Sequence, residues 1–198
     1  MRSKNVLYFF IFTGIVLFSA FTLLFFRQAT QSKALPVLGQ VADFHLYDTE
    51  SREFGLTQLK GKVWVADFIF TTCSGICPVM TKNMAALHRS FLLVDGVEMV
   101  SITVNPENDS PGVLAAYAKR YHADLKKWHF LTGARAEIQK LAVHSFKIGS
   151  VKEPVFHSDR FVLVDRQGRI RGYYEGTEDK RIGGLFKDIV TVTKEEEK

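Results

Sequence analysis

Residues 63–78 read VWVADFIFTTCSGICP. The first half, Val63–Phe70, is apolar except for Asp67, the pattern of a central strand covered on both faces. Both cysteines of the chain follow, Cys73 and Cys77, with a proline directly after the second. Beyond them, PVMTKNMAALHRSFLLV spaces Val79, Met80, Met84, Leu87 and Phe91 as one face of a helix. The two sulfurs therefore belong where a buried strand ends and a helix begins. Free backbone N–H groups and the helix dipole stabilise a thiolate at such a junction, so the pair is chemically active by position. A redox couple, a metal clamp and a structural staple all use paired cysteines. The staple is the weakest reading, because so small a loop restricts the unfolded chain very little.

The elements alternate outward from this stretch. DFHLYD (43–48) reads as a short strand, VEMVSITV (97–104) as a second buried strand and WHFLTG (128–133) as a third. Between them, NPENDSPGVLAAYAKRYHA opens with turn residues and a helix start at Ser110–Pro111. ARAEIQKLAVHSF is an amphipathic helix. RFVLVDRQGRIRGYYEG is a hairpin turning at Asp165–Gly168, and RIGGLFKDIV is a last helix with Ile182, Leu185, Phe186 and Ile189 on one side. Strands alternating with helices and closed by a hairpin and a helix predict an α/β sandwich with a mixed sheet.

The N-terminus has another character. Residues 6–26, VLYFFIFTGIVLFSAFTLLFF, carry no charge. As a helix this run is about 30 Å long, the thickness of a bilayer's hydrocarbon core. It exceeds the apolar segment of a typical cleaved signal peptide, so the expectation is a signal anchor over residues 1–27. A polar tether (28–40), a folded domain (41–192) and a charged tail (193–198) follow. A very short N-terminal tail before a long domain predicts N-inside orientation, with the domain outside a bacterial cytoplasmic membrane. The net charge of +5 is dispersed. No basic patch with interleaved aromatics speaks for nucleic acid.

Three segments in this order, VWVADFIFTTCSGICP, TVNPENDSPGVLAAYAKRY and FHSDRFVLVDRQG, resemble the Sco/SenC family of membrane-anchored copper proteins, over roughly residues 40–190. The first resembles the strand–active-site–helix segment of thioredoxin-like proteins, with three residues rather than two between the cysteines. The resemblance implies a thioredoxin-like fold and copper held by Cys73, Cys77 and His157. It further implies delivery of copper to the dinuclear site of cytochrome c oxidase, or upkeep of that site's thiols. The partners so implied are the oxidase's copper-bearing subunit and an extracytoplasmic thiol reductant. One departure stands out: the family's D-P-x-R-D segment reads NPEND here, with Asn105 and Asn108 in place of an acid and a base.

Two thiolates and an imidazole suit Cu(I), which prefers soft ligands, and can also hold Cu(II). If the cysteines share one helical turn, their Cα atoms lie about 6 Å apart, within reach of a disulfide. The pair then binds metal when reduced and locks when oxidised. Of the six histidines, His88, His122, His129 and His144 read as structural and His45 as solvent-facing. Met80 and Met84 read as core. Asp67, six residues before Cys73, is either a proton-transfer acid or a hydrogen-bonded structural carboxylate. The competing function is a thiol–disulfide reductase, for which Cys73 and Cys77 suffice without His157. A peroxiredoxin-type peroxidase is rejected because Phe70 stands where a threonine is needed, and a c-type haem because the C-x-x-C-H spacing is missing.

Overall fold

The computed structural model describes residues 13–14, 18–19, 21–22, 34–149 and 158–195. The chain divides into two compact units, Met1–Ala34 and Leu35–Lys198. In the first, residues 13–14, 18–19 and 21–22 are helical, and Thr22 Oγ1 donates to the carbonyls of Phe18 and Ser19. Among the described residues no helix is long and apolar enough to cross a membrane. The expected span at 6–26 falls mainly outside them.

The second unit runs β1 (Gly39–Gln40), β2 (His45–Tyr47), β3 (Glu53–Gly55), α1 (Leu56–Leu59), β4 (Val63–Ile69), α2 (Cys77–Phe91), β5 (Val97–Thr103), α3 (Pro111–Arg120), β6 (Trp128–Leu131), α4 (Arg135–Lys140), a π-helical turn (Leu141–Ser145), β7 (Arg160–Val164), β8 (Arg169–Glu175) and α5 (Asp179–Lys194). Among the described residues, six strands form one sheet in the order β1-β8-β7-β4-β5-β6, and β2 and β3 form a separate hairpin. β4 runs parallel to β5, and β5 to β6, whereas β7 is antiparallel to β4 with Trp64 opposite Val164 and Ala66 opposite Val162. The sheet is thus mixed and the fold thioredoxin-like, as the sequence predicts.

Every residue of β4 and β5 is buried, because layers cover both faces of the sheet. Trp64, Ala66 and Phe68 face one core with Val100, Ile102, Phe146 and the β2–β3 hairpin's Leu46 and Phe54. Val63, Val65 and Ile69 face the other, filled by Met80, Met84 and Phe91 of α2, Leu114 and Tyr117 of α3, and Leu185 and Ile189 of α5. The period-two alternation of a strand distributes these side chains between the two cores.

Predicted elements recur with shifted ends. The ARAEIQKLAVHSF helix is split into α4 and the π turn. α5 begins two residues before the predicted RIGG, since burial of Leu185, Ile189 and Val192 outweighs the low helix propensity of Gly183 and Gly184. Ser110 caps α3 by accepting from Val113 N (3.4 Å), with Pro111 in its first turn. In the hairpin, Gly168 takes φ 76° and Asp165 Oδ1 accepts from the N–H groups of Gln167 and Arg169.

Candidate metal and redox site

β4 stops at Ile69 and the chain turns through Thr71–Ile76 before α2 begins at Cys77. Cys73 therefore stands in the turn, ahead of the helix. Its N–H donates to Phe70 O (3.2 Å). This corrects the one-helical-turn spacing expected above: Ser74, Gly75 and Ile76 form bends, and Ile76 is the helix N-cap. Pro78 falls in the first turn, where its missing N–H costs nothing. Cys73 is partly exposed in a hollow of about 370 Å³ lined by Phe70, Thr72, Ser74, Gly75 and Ile76. Cys77 is buried, and Thr81 Oγ1 donates to its carbonyl (2.8 Å) and meets the Tyr117 hydroxyl (2.8 Å).

The two thiols differ electrically. Burial pushes Cys73 up, but the N–H of Cys77, the Cys77 thiol and the N–H groups of Gly75 and Ile76 outweigh it, leaving Cys73 below the ordinary thiol range. Cys77 is pushed up to about 12, first by burial and then by Cys73 and the charge of Asp67, against the favourable N–H of Phe70. One sulfur is accessible and prone to ionise; the other is recessed and protonated. A nucleophile and its resolving partner have this arrangement.

Asp67 occupies the middle of β4 rather than a strand end, on the same face as Val65 and Ile69, and it is fully buried. Neither carboxylate oxygen meets a hydrogen-bond donor of normal geometry among the described residues. Burial raises its carboxyl to about 7, against a weaker opposing pull from Ser101 across the sheet, whose Oγ accepts from Trp128 Nε1 (3.0 Å). Burial rather than hydrogen bonding is the dominant influence on this carboxyl.

Met80 and Met84 have no exposed surface and belong to the core. His88 is also buried. Its Nε2 accepts from Asp124 N (3.1 Å) and its ring tilts against Trp128. His129 Nε2 meets Glu98 Oε2 (2.9 Å), and Lys62 Nζ holds the other Glu98 oxygen (2.6 Å). His45, His122 and His144 are exposed. Among the described residues no three of His, Cys, Asp or Glu form a group able to hold a metal ion. His157, the expected third ligand, lies outside the described residues.

One residue that sequence reasoning passed over stands beside the cysteines. Asp109, with no exposed surface, accepts from Thr71 N (3.1 Å) and Thr71 Oγ1 (2.5 Å), and from Thr103 Oγ1 (2.5 Å). In NPENDSP it reads as one more turn residue. It lies six positions beyond Thr103, the last residue of β5, and directly before the Ser110 cap.

Comparison with known proteins places these observations. The SCO1/SenC family model matches residues 35–193. The SCO1 protein homolog of Bacillus subtilis is 36% identical over 161 residues, 78% of this chain and 83% of its own length. A solved structure of BsSco, described as a member of the Sco family of cytochrome c oxidase assembly proteins with a disulfide switch, is 34% identical. It superposes with a TM-score of 0.73 over 83% of this chain and all of its own. Yeast Sco1 with copper bound is 26% identical, with a TM-score of 0.64 over 82% of this chain and 91% of its own.

Proposed function

The chain belongs to the SCO1/SenC family, and from that membership and the cysteine geometry we propose that it is a copper metallochaperone for the dinuclear copper site of cytochrome c oxidase. Cys73, Cys77 and His157 are the copper ligands of this reading, and copper is the cargo. Two soft thiolates favour Cu(I), and the imidazole extends the site to Cu(II). The copper-bound yeast relative and the oxidase-assembly role of BsSco support the reading.

The observation that carries it is topological. β7 begins at Arg160 and runs antiparallel to β4, so the chain enters β7 at the end of β4 that leads to the cysteines. Asp159, two positions after His157, accepts from Gly176 N (2.6 Å), and Gly176 O accepts from Asn83 Nδ2 (2.8 Å) on α2, the helix that opens with Cys77. The residues that follow His157 are thus tied to the cysteine helix.

Loading requires the dithiol. Oxidation to the disulfide removes two electrons and two protons, so an external thiol reductant must restore the pair in an oxidising compartment. The protein is held at the outer face of a bacterial cytoplasmic membrane by residues 6–26, with the folded unit that begins at Leu35 as the working domain. The uncharged run at the N-terminus supports this placement.

The deciding experiment is the copper stoichiometry of the reduced protein from residue 28 onward, wild type against His157→Ala. One tightly held copper, lost in the variant, is the expected result. Equal weak binding by both overturns the three-ligand site. It favours instead a dithiol reductase acting on the cysteines of a copper-site client, a reading that the unequal thiols Cys73 and Cys77 also support.

A further inference from the structure

Asp109 joins two loops that leave the same end of the sheet. Thr71 N and Thr103 Oγ1 both donate to its Oδ2, and Thr71 Oγ1 donates to its Oδ1. A fully buried carboxylate with all its contacts inside the protein is a strong local constraint. Its own backbone is fixed too, since Asp109 N donates to Asn105 O (3.0 Å). The next residue, Ser110, caps α3.

The constraint falls two residues before Cys73. Thr71 is gripped by both backbone and side chain, and Cys73 N closes onto Phe70 O. On the other side, Cys77 is fixed by burial in α2 and by Thr81. Only Ser74, Gly75 and Ile76 separate the two anchored sulfur-bearing residues.

We propose that Asp109 is a positioning residue for the cysteine pair: through Thr71 it holds Cys73 at the approach to Cys77 that lets the two sulfurs act as one unit. The proposal rests on reading Cys73 and Cys77 as one redox- and metal-active pair. Anchoring both partners raises their effective concentration toward each other, and releasing one lowers it. The affected reaction is protein dithiol plus oxidised glutathione giving protein disulfide plus two reduced glutathiones, with two electrons passing to glutathione.

The test measures this equilibrium constant on the metal-free chain from residue 28 onward, for wild type, Asp109→Ala, Asp109→Asn and Thr71→Val, with thermal unfolding of each. Asp109→Ala is expected to disfavour the disulfide tenfold or more, a potential raised by about 30 mV for a two-electron couple. Asp109→Asn is expected within about threefold of wild type, because an amide turned with its nitrogen toward Thr71 Oγ1 keeps all three contacts. Thr71→Val, which loses one donor and keeps the shape, falls between them and guards against a variant that does not fold. An unchanged equilibrium with a lowered melting temperature makes Asp109 merely structural and overturns the proposal. An asparagine variant shifted as far as the alanine variant overturns it as well, by assigning the effect to charge. If wild type itself forms no internal disulfide with glutathione, the reading of the pair fails, and the proposal with it.

Discussion

Replacing Asp67 by asparagine should change how stability depends on pH, and the structure sets the size of the change. In the folded protein the Asp67 carboxyl is raised from its ordinary 3.8 to about 7, principally by burial. Between those values the unfolded chain has lost the proton while the folded chain keeps it. Stability therefore falls as pH rises through this window, by up to about 1.4 kcal/mol per pH unit. It levels off above the folded value, where the full cost of an ionised buried carboxylate is present, roughly 4 kcal/mol for a rise from 3.8 to about 7. Asparagine keeps the shape and removes the titration. A buried amide has its own cost, about 1–3 kcal/mol if unpaired, but that cost is the same at every pH. The quantity to read is therefore the slope. Urea unfolding of reduced, metal-free protein at intervals from pH 4 to pH 9 gives the stability of both forms. The difference, variant minus wild type, should climb through the acid-to-neutral range and flatten above about pH 7. Parallel curves would show that Asp67 titrates as an ordinary carboxyl and refute the assignment of burial as the dominant influence.

Three further outcomes follow from particular contacts. Arg171→Ala should cost about 3–5 kcal/mol in urea unfolding, because Arg171 pairs with Asp165 (3.0 Å) and Glu195 (2.6 Å) at 3% side-chain exposure; a loss below about 1 kcal/mol would demote the cluster to a surface ion pair. Gly55→Ala should cost about 1–3 kcal/mol, since a Cβ there would lie 2.4 Å from Phe44 O and force the β2–β3 hairpin to shift; an unchanged melting temperature would argue against so close an approach. Iodoacetamide near neutral pH should label Cys73 well before Cys77, as followed by mass spectrometry of Cys73→Ser and Cys77→Ser. Equal rates would contradict the asymmetry of the pair.

Long, strongly patterned stretches of the sequence were legible. VWVADFIF and VEMVSITV read as buried strands because the sheet is covered on both faces, and the strand–helix junction followed from the strand's end and the proline after Cys77. The turn at Asp165–Gly168 and the cap at Ser110 were legible because those residue types have local backbone reasons to be there. Short elements were not. β1 spans two residues and pairs with β8, more than a hundred positions away, and β3 and α1 are too brief to set up a period. Asp109 escaped for a related reason. Its role comes from Thr71 and Thr103, residues of two other segments, and nothing in NPEND distinguishes a buried anchor from a solvated turn. Asp67 could be flagged as an anomaly in an apolar run, but only the packing around it shows that it is fully buried in mid-strand.

The guanidinium of Arg171 also grips the carbonyls of Leu35 (2.6 Å) and Pro36 (3.2 Å), where the folded unit begins, and Glu195, just past its last helix. Mechanically, this is a strain relief. A pull arriving from residue 34 meets Arg171 before it meets the two-residue strand β1, which alone would peel from β8 one hydrogen bond at a time. The load passes into β8 and, through Glu195, into the end of α5, so it is shared across the sheet and its covering helix. A load on Leu35 and Pro36 would thus be taken up at the end of the sheet opposite the one from which the chain leaves β4 for the cysteines.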